Sequence, residues 1–185
     1  MAKTKWQIDT THSEVQFKVK HMMISTVTGY FSQFDATVET EDEDFTTAKV
    51  QFTADLSSIS TNNEQRDNHL KTSDFFDAEN HPQIKFVSNK LEKIDDESYS
   101  LHGDLTIRGI SKPVSLKVEF GGIAADPWGN IRAGFTIDGK INRKEFGLNW
   151  SAVTEAGGIV VSDEVRMHVN AEFIKEAAAQ SAQAA

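Results

Sequence analysis

Apolar and polar residues alternate with a period of two through most of this chain, the spacing of strands that turn one face inward. In Glu14–His21, Val15, Phe17, Val19 and His21 share one face, and Glu14, Gln16, Lys18 and Lys20 share the other. Residues 27–40 carry Phe34, Ala36 and Val38 in phase, while Gly29, Tyr30 and Phe31 break the parity and predict a bulge. Further alternating runs are 49–56 with Val50, Phe52 and Ala54, then Ile84 and Phe86 after Pro82, and 99–107 with Leu101 and Leu105. The series closes with 114–120 (Leu116, Val118, Phe120), 131–141 (Ala133, Phe135, Ile137) and 165–173. A turn is expected at 108–112, and Gly121-Gly122 with 126–130 bound a loop. The pattern predicts an all-β fold of about eight antiparallel strands, a number at which a closed β-barrel either fills itself with side chains or holds one small ligand.

One stretch departs from that rhythm. Residues 60–77 read S-T-N-N-E-Q-R-D-N-H-L-K-T-S-D-F-F-D, and Thr61 followed three residues later by Glu64 is the signature of a capping box. A short helix starting near Asn62 is therefore expected, inserted between strands, with Arg66, Asp67 and His69 ahead of the apolar pair Phe75-Phe76.

Composition narrows the classes of function. The 185 residues are most simply one domain, 1–175, followed by a low-complexity tail at 176–185. A net charge of −9 leaves no basic stripe for phosphates, which argues against a nucleic-acid partner. Cysteine is absent, which removes disulfides and thiolate chemistry. No stretch is long and apolar enough for a helical membrane span, and residues 1–9 contain no apolar leader, so a cytoplasmic location is expected.

Strand alternation alone does not say which face is inside. Densely charged polar faces, such as Lys18 and Lys20, or Arg132, Asp138 and Lys140, suit water better than a narrow lumen. The apolar face, rich in phenylalanine, is therefore turned inward. That face allows two readings, a barrel filled by its own side chains or an elongated apolar pocket, and spacing alone favours the first.

Candidate chemistry is sparse. His21 ends the apolar face of its strand, and Arg66, Asp67 and His69 are titratable or charged groups crowded into one helix. No metal spacing, nucleophile elbow or phosphate loop accompanies them, so no metal, cofactor or catalytic residue is assigned.

Several motifs together carry more than their spacing. Trp6 with D-T-T-H-S at 9–13, R-D-N-H-L-K at 66–71 followed by D-F-F-D at 74–77, G-D-L-T-I-R-G at 103–109, K-P-V at 112–114 and Asn142-Arg143 with Phe146-Gly147 closely resemble the YceI-like family, in order over most of the chain. The resemblance implies a lipocalin-like, extended eight-stranded antiparallel barrel with an elongated apolar cavity. It implies a ligand that is a polyisoprenoid, an isoprenoid quinone or a similar fatty-acid-like chain, and no catalysis. A homodimer, and the periplasm as the alternative compartment, come from the family's habit. The lining expected on that basis is Phe17, Val19, Phe31, Phe34, Phe52 and Phe76, continued by Phe86, Leu105, Leu116, Phe120, Phe135 and Ile137. The polar mouth is expected from His21, Arg66, Asp67 and His69, and the same four would carry the alternative, an enzyme acting on a bound isoprenoid. Asn142, Arg143 and Phe146 read as a turn that pins a strand end.

Overall fold

The computed structural model describes residues 2–151 and 160–177. Its strands are β1 (Lys3–Ile8), β2 (Glu14–His21), β3 (Ser25–Phe31), β4 (Phe34–Glu41), β5 (Asp44–Asp55) and β6 (Ile59–Ser60). After the helix α1 (Glu64–Leu70) come β7 (Gln83–Lys93), β8 (Ser98–Ile107), β9 (Ile110–Ala125), β10 (Ile131–Asn142) and β11 (Val161–Lys175). All pairings are antiparallel.

Eleven strands make eight staves because three staves are broken. A 3-10 turn at Thr10–His12 separates β1 from β2, yet β1 pairs with β4 (Trp6↔Val38) and β2 with β3 (Val15↔Phe31), so the two halves continue one another. Asp9 makes that break by accepting the Thr11 N–H at 2.9 Å. Ser32-Gln33 divides β3 from β4, and Leu56–Ser58 divides β5 from β6. The last strand closes the ring: β11 pairs with β2 at Val169↔Val15 and with β1 at Phe173↔Ile8. The outcome is the closed eight-stranded antiparallel barrel with one short helix that the alternation predicts.

Local readings shift in detail. The expected strand 27–40 is two strands broken at Ser32-Gln33, and β1 carries no period-two signal strong enough to stand out from the sequence. Gly121-Gly122 lies within β9, where an extra residue opposite Gly134/Phe135 makes a bulge in place of the expected loop. The turn after β8 is only two residues, Arg108-Gly109, both left-handed, since Ile107 pairs directly with Ile110. The capping box does not form. Asn63 caps α1, its Oδ1 accepting the Arg66 N–H at 3.0 Å, because the Thr61 hydroxyl is already engaged by Asp67 and Arg66.

The two ends of the barrel differ. At the end holding the β4–β5 turn, Trp6, Phe45, Phe120 and Phe135 pack with ring centroids 5.1–5.5 Å apart in four pairs. Trp6 is fully buried and donates its Nε1–H to Thr40 Oγ1 at 3.3 Å. The opposite end, where α1, the β2–β3 turn, the β8–β9 turn and the described part of the link from β10 to β11 gather, carries a smaller cluster, His69, Phe75 and Trp150, with ring centroids 5.1–5.3 Å apart. The tail expected at 176–185 lies outside the described residues from Ala178 onward.

Candidate functional site: an apolar lumen under a helical lid

Below the rings the lumen opens into a cavity of about 210 Å³. Among the described residues thirty line it and twenty-eight are apolar; Gln16 and Arg143 are the others. Of the twelve expected lining residues, Phe17, Val19, Phe31, Phe52, Phe76, Phe86, Leu105, Leu116 and Ile137 border it. Phe120 and Phe135 belong to the ring plug instead, and Phe34 packs on the core without reaching the cavity. The lumen owes part of its bore to glycines. A Cβ on Gly29, cross-strand from Phe17, would stand 2.1 Å from the Phe17 ring, and one on Gly139 would stand 2.3 Å from Leu116. Bare backbone at these places lets both side chains lie back against the wall.

The lid is the segment 61–82, which fills the gap beside the two-residue strand β6. Leu70, Phe75 and Phe76 from this segment face the cavity. Its polar residues fasten it down. Asp67 Oδ1 accepts the Thr61 N–H and O–H at 2.8 and 2.6 Å, while Arg66 donates to Thr61 Oγ1 at 2.7 Å and Thr61 O at 2.8 Å. His69 Nε2 and Asp74 Oδ2 are 2.8 Å apart, and the His69 ring meets Phe75 and Trp150 edge-on at 5.1 and 5.3 Å. From the β8–β9 turn, Arg108 donates to Ser73 O at 2.7 Å and Phe75 O at 2.8 Å.

The four residues expected at a polar mouth are thus all at the hollow end, but none borders the cavity. Among the described residues no hydrogen bond joins His21, exposed on the β2–β3 turn, to Arg66, Asp67 or His69. Among the described residues the charged one that does reach the cavity is Arg143, 2% exposed, in the 3-10 turn Arg143–Phe146. It donates to Ser162 O at 2.9 Å and Trp150 O at 2.7 Å, and also to Leu148 O. Burial lowers its pKa, with Asp163 at 3.8 Å opposing the shift. The expected strand-pinning role of the N-R-x-x-F-G turn is what the geometry shows. Reading it only as a turn hides that the same guanidinium forms part of the cavity wall.

Elsewhere the titratable groups serve the wall. Arg132 Nη1 lies 2.8 Å from Asp9 and 2.7 Å from Glu172, and its Nε lies 2.8 Å from Asp126. Asp126 is lowered to about 2, first by Arg132 and then by the backbone and side chain of Asn130. Asp9 is also well below the usual carboxylate range, through the Thr11 hydroxyl, Arg132 and His12. Asp9, His12 and Glu172 approach one another like a ligand set, but the Arg132 guanidinium already stands among them.

Comparison with known proteins agrees with this architecture. A family model described as YceI-like domain matches residues 6–173. A UPF0312 protein of Staphylococcus epidermidis is 39% identical over 171 residues, covering 92% of this chain and 97% of its own. A crystal structure of the Campylobacter jejuni YCEI protein superposes with a TM-score of 0.74 at 34% identity, over 85% of this chain and 90% of that one. A polyisoprenoid binding domain from Saccharophagus degradans, implicated in plant cell wall breakdown, shares the fold at 13% identity, with a TM-score of 0.68 over 92% and 98% of the two chains.

Proposed function

The chain belongs to the YceI-like family, and we propose that its barrel binds and carries one long-chain amphiphile, a polyisoprenoid or lipid of similar shape. The chain of the ligand would lie in the lumen and its polar end at the hollow rim. The observation that carries this reading is the lumen itself: a volume inside the barrel whose walls, among the described residues, are apolar at twenty-eight of thirty positions. Such a site holds its ligand by wall contact. At roughly 0.3 kcal/mol per heavy atom, a twenty-carbon chain gains about −6 kcal/mol and a forty-carbon chain about −12.

Size adds a condition. About 210 Å³ is below the roughly 300–1,000 Å³ usual for ligand pockets. A long chain therefore enters only as the wall gives, and the wall best able to give is Leu70, Phe75 and Phe76 on the lid, which no strand ladder holds. The polar residues of the lid act as fasteners in this reading: Arg66 and Asp67 on Thr61, His69 on Asp74. The alternative, acid–base catalysis on the bound lipid, rests on the His69–Asp74 pair alone.

Native mass spectrometry tests the reading. Delipidated protein incubated with an isoprenoid quinone should gain one ligand mass per chain, and a spectrum that stays unchanged would end the proposal. Gly29→Ala should drive the Phe17 ring into the lumen and weaken the adduct, and adding Phe17→Leu should restore it. His69→Ala should leave ligand mass and composition as they are; turnover of bound lipid that disappears in this variant would establish the enzyme instead.

A further inference from the structure

Two features of the hollow end are explained neither by the lumen nor by the fold. The first is the turn joining β2 to β3. Met22, Met23 and Ile24 are 42, 59 and 82% exposed, three apolar side chains in succession at the tip of a hairpin. Met22 and Met23 are both left-handed, with φ of 53° and 59°, and Ile24 N–H closes the turn on His21 O at 3.1 Å. A turn with two left-handed residues is the usual place for Asn-Gly, and an unbranched apolar side chain gains nothing local there. The other left-handed residues without this handicap have evident reasons. Asp42, Asn62 and Asp77 are of the type that tolerates the conformation, and Arg108 spans to the lid carbonyls. Strain kept at an exposed apolar tip points to something the tip does.

The second feature is on the adjoining wall. Lys140 pairs with Arg166 and Arg166 with Lys18, so three exposed cations stand side by side across β10, β11 and β2. Like charges in direct register destabilise a sheet. Among the described residues the ion pairs of this row are limited to Glu164 on Arg166, at 3.1 Å. Lys18 is three residues from the turn, about 10 Å along the strand, and Lys20 is exposed between them. In a chain of net charge −9 this is a local concentration of positive charge behind an apolar tip.

We propose that the hollow end docks on an anionic lipid bilayer, with Met22, Met23 and Ile24 immersed and the Lys140–Arg166–Lys18 row against the headgroup phosphates. An apolar insert together with a basic patch supplies the two signals whose combination turns marginal membrane contact into stable docking. A second copy of the chain fits less well: three side chains are far short of the roughly 20–30 residues a side of a stable protein interface. A fluid bilayer also needs no shape complementarity from a narrow tip. The proposal concerns the outside of the barrel and holds whatever the lumen contains.

Co-sedimentation of delipidated protein tests it, with vesicles of phosphatidylcholine alone and of equal parts phosphatidylcholine and phosphatidylglycerol. The native protein should partition onto the anionic vesicles and release as salt is raised. Met22→Asn combined with Met23→Gly should raise the melting temperature by roughly 4 °C, by relieving the turn, while abolishing sedimentation. That combination separates loss of docking from loss of folding. Lys18→Gln with Lys140→Gln should cost roughly 25-fold in partitioning onto anionic vesicles, about fivefold per cation. Equal partition of the native protein onto both vesicle types overturns the proposal, as does its absence from both. Sedimentation that survives the Asn-Gly turn overturns it too, and so does a dimer that the Asn-Gly turn dissolves without changing vesicle binding.

Discussion

The two ends of this barrel are built from the same alternating strands and held together by different forces. One end is closed from within: Trp6, Phe45, Phe120 and Phe135 meet ring to ring on the barrel axis. The other, beside a smaller cluster of His69, Phe75 and Trp150, is held from its rim, by Arg108 donating to carbonyls of the lid and Arg143 donating to Trp150 O and, in β11, Ser162 O. Rings stabilise by filling space. A guanidinium at the edge stabilises by satisfying backbone carbonyls, those of Ser162, Leu148 and Trp150 at Arg143 and those of Ser73 and Phe75 at Arg108, without filling the lumen. The difference between the ends shows how a barrel of this size stays folded around a void.

Mutations can break or sharpen this comparison. The largest effect is expected from Trp6→Ala, about 3–5 kcal/mol in urea unfolding, since a fully buried ring and its Thr40 hydrogen bond are both lost. Phe17→Ala, whose ring borders empty space already, should cost less than half as much; equal costs would mean that the lumen is packed like the plug. Next comes Arg143→Met, about 3 kcal/mol, because the carbonyls of Ser162, Leu148 and Trp150 lose a charged donor together. Arg108→Ala should cost about 1–2 kcal/mol yet speed amide exchange across residues 61–82 well beyond the rest of the chain, with the plug unchanged. The smallest effect at neutral pH is at Arg132. Asp9 and Asp126 have folded-state pKa values below their unfolded ones, so their contribution is complete above about pH 4 and is lost as pH falls toward about 2. Arg132→Gln removes a cause of both depressions, so its small destabilisation should be complete above about pH 4 and shrink as pH falls toward about 2, flattening the loss of stability with acid between those two values.

Much of the wall was legible because a period of two survives even where strands are broken. β2 has the bounds that its alternation predicts, and the eight runs of alternation correspond to the eight staves. The half-stave β1 was harder: K-T-K-W-Q-I places two lysines beside its buried Trp6, and only pairing with β4 and β11 reveals it as a strand. The plug and the lumen were not separable by pattern. Phe120 and Phe135 have the same phase as Phe17 and Phe86; what divides them is height along the barrel axis, set by register and by the bulge at Gly134/Phe135. The polar residues of 60–77 stood out by density, and density says nothing about whether a side chain faces a ligand or ties its own helix down. Here Thr61 takes up both Arg66 and Asp67.

The split partner of β11 has a consequence for how the molecule comes into being. Its N-terminal part pairs with β2 and its end with β1, so Trp6 meets Lys175 and the ring is sealed by the first and last strands of the fold. Contacts so distant in sequence form late and slowly. Until β11 has left the ribosome, β10 and the β1–β2 stave remain open edges, each able to recruit a strand from another chain. A chain halted before residue 161 would therefore be prone to aggregate, although it already carries most of the lumen's apolar wall.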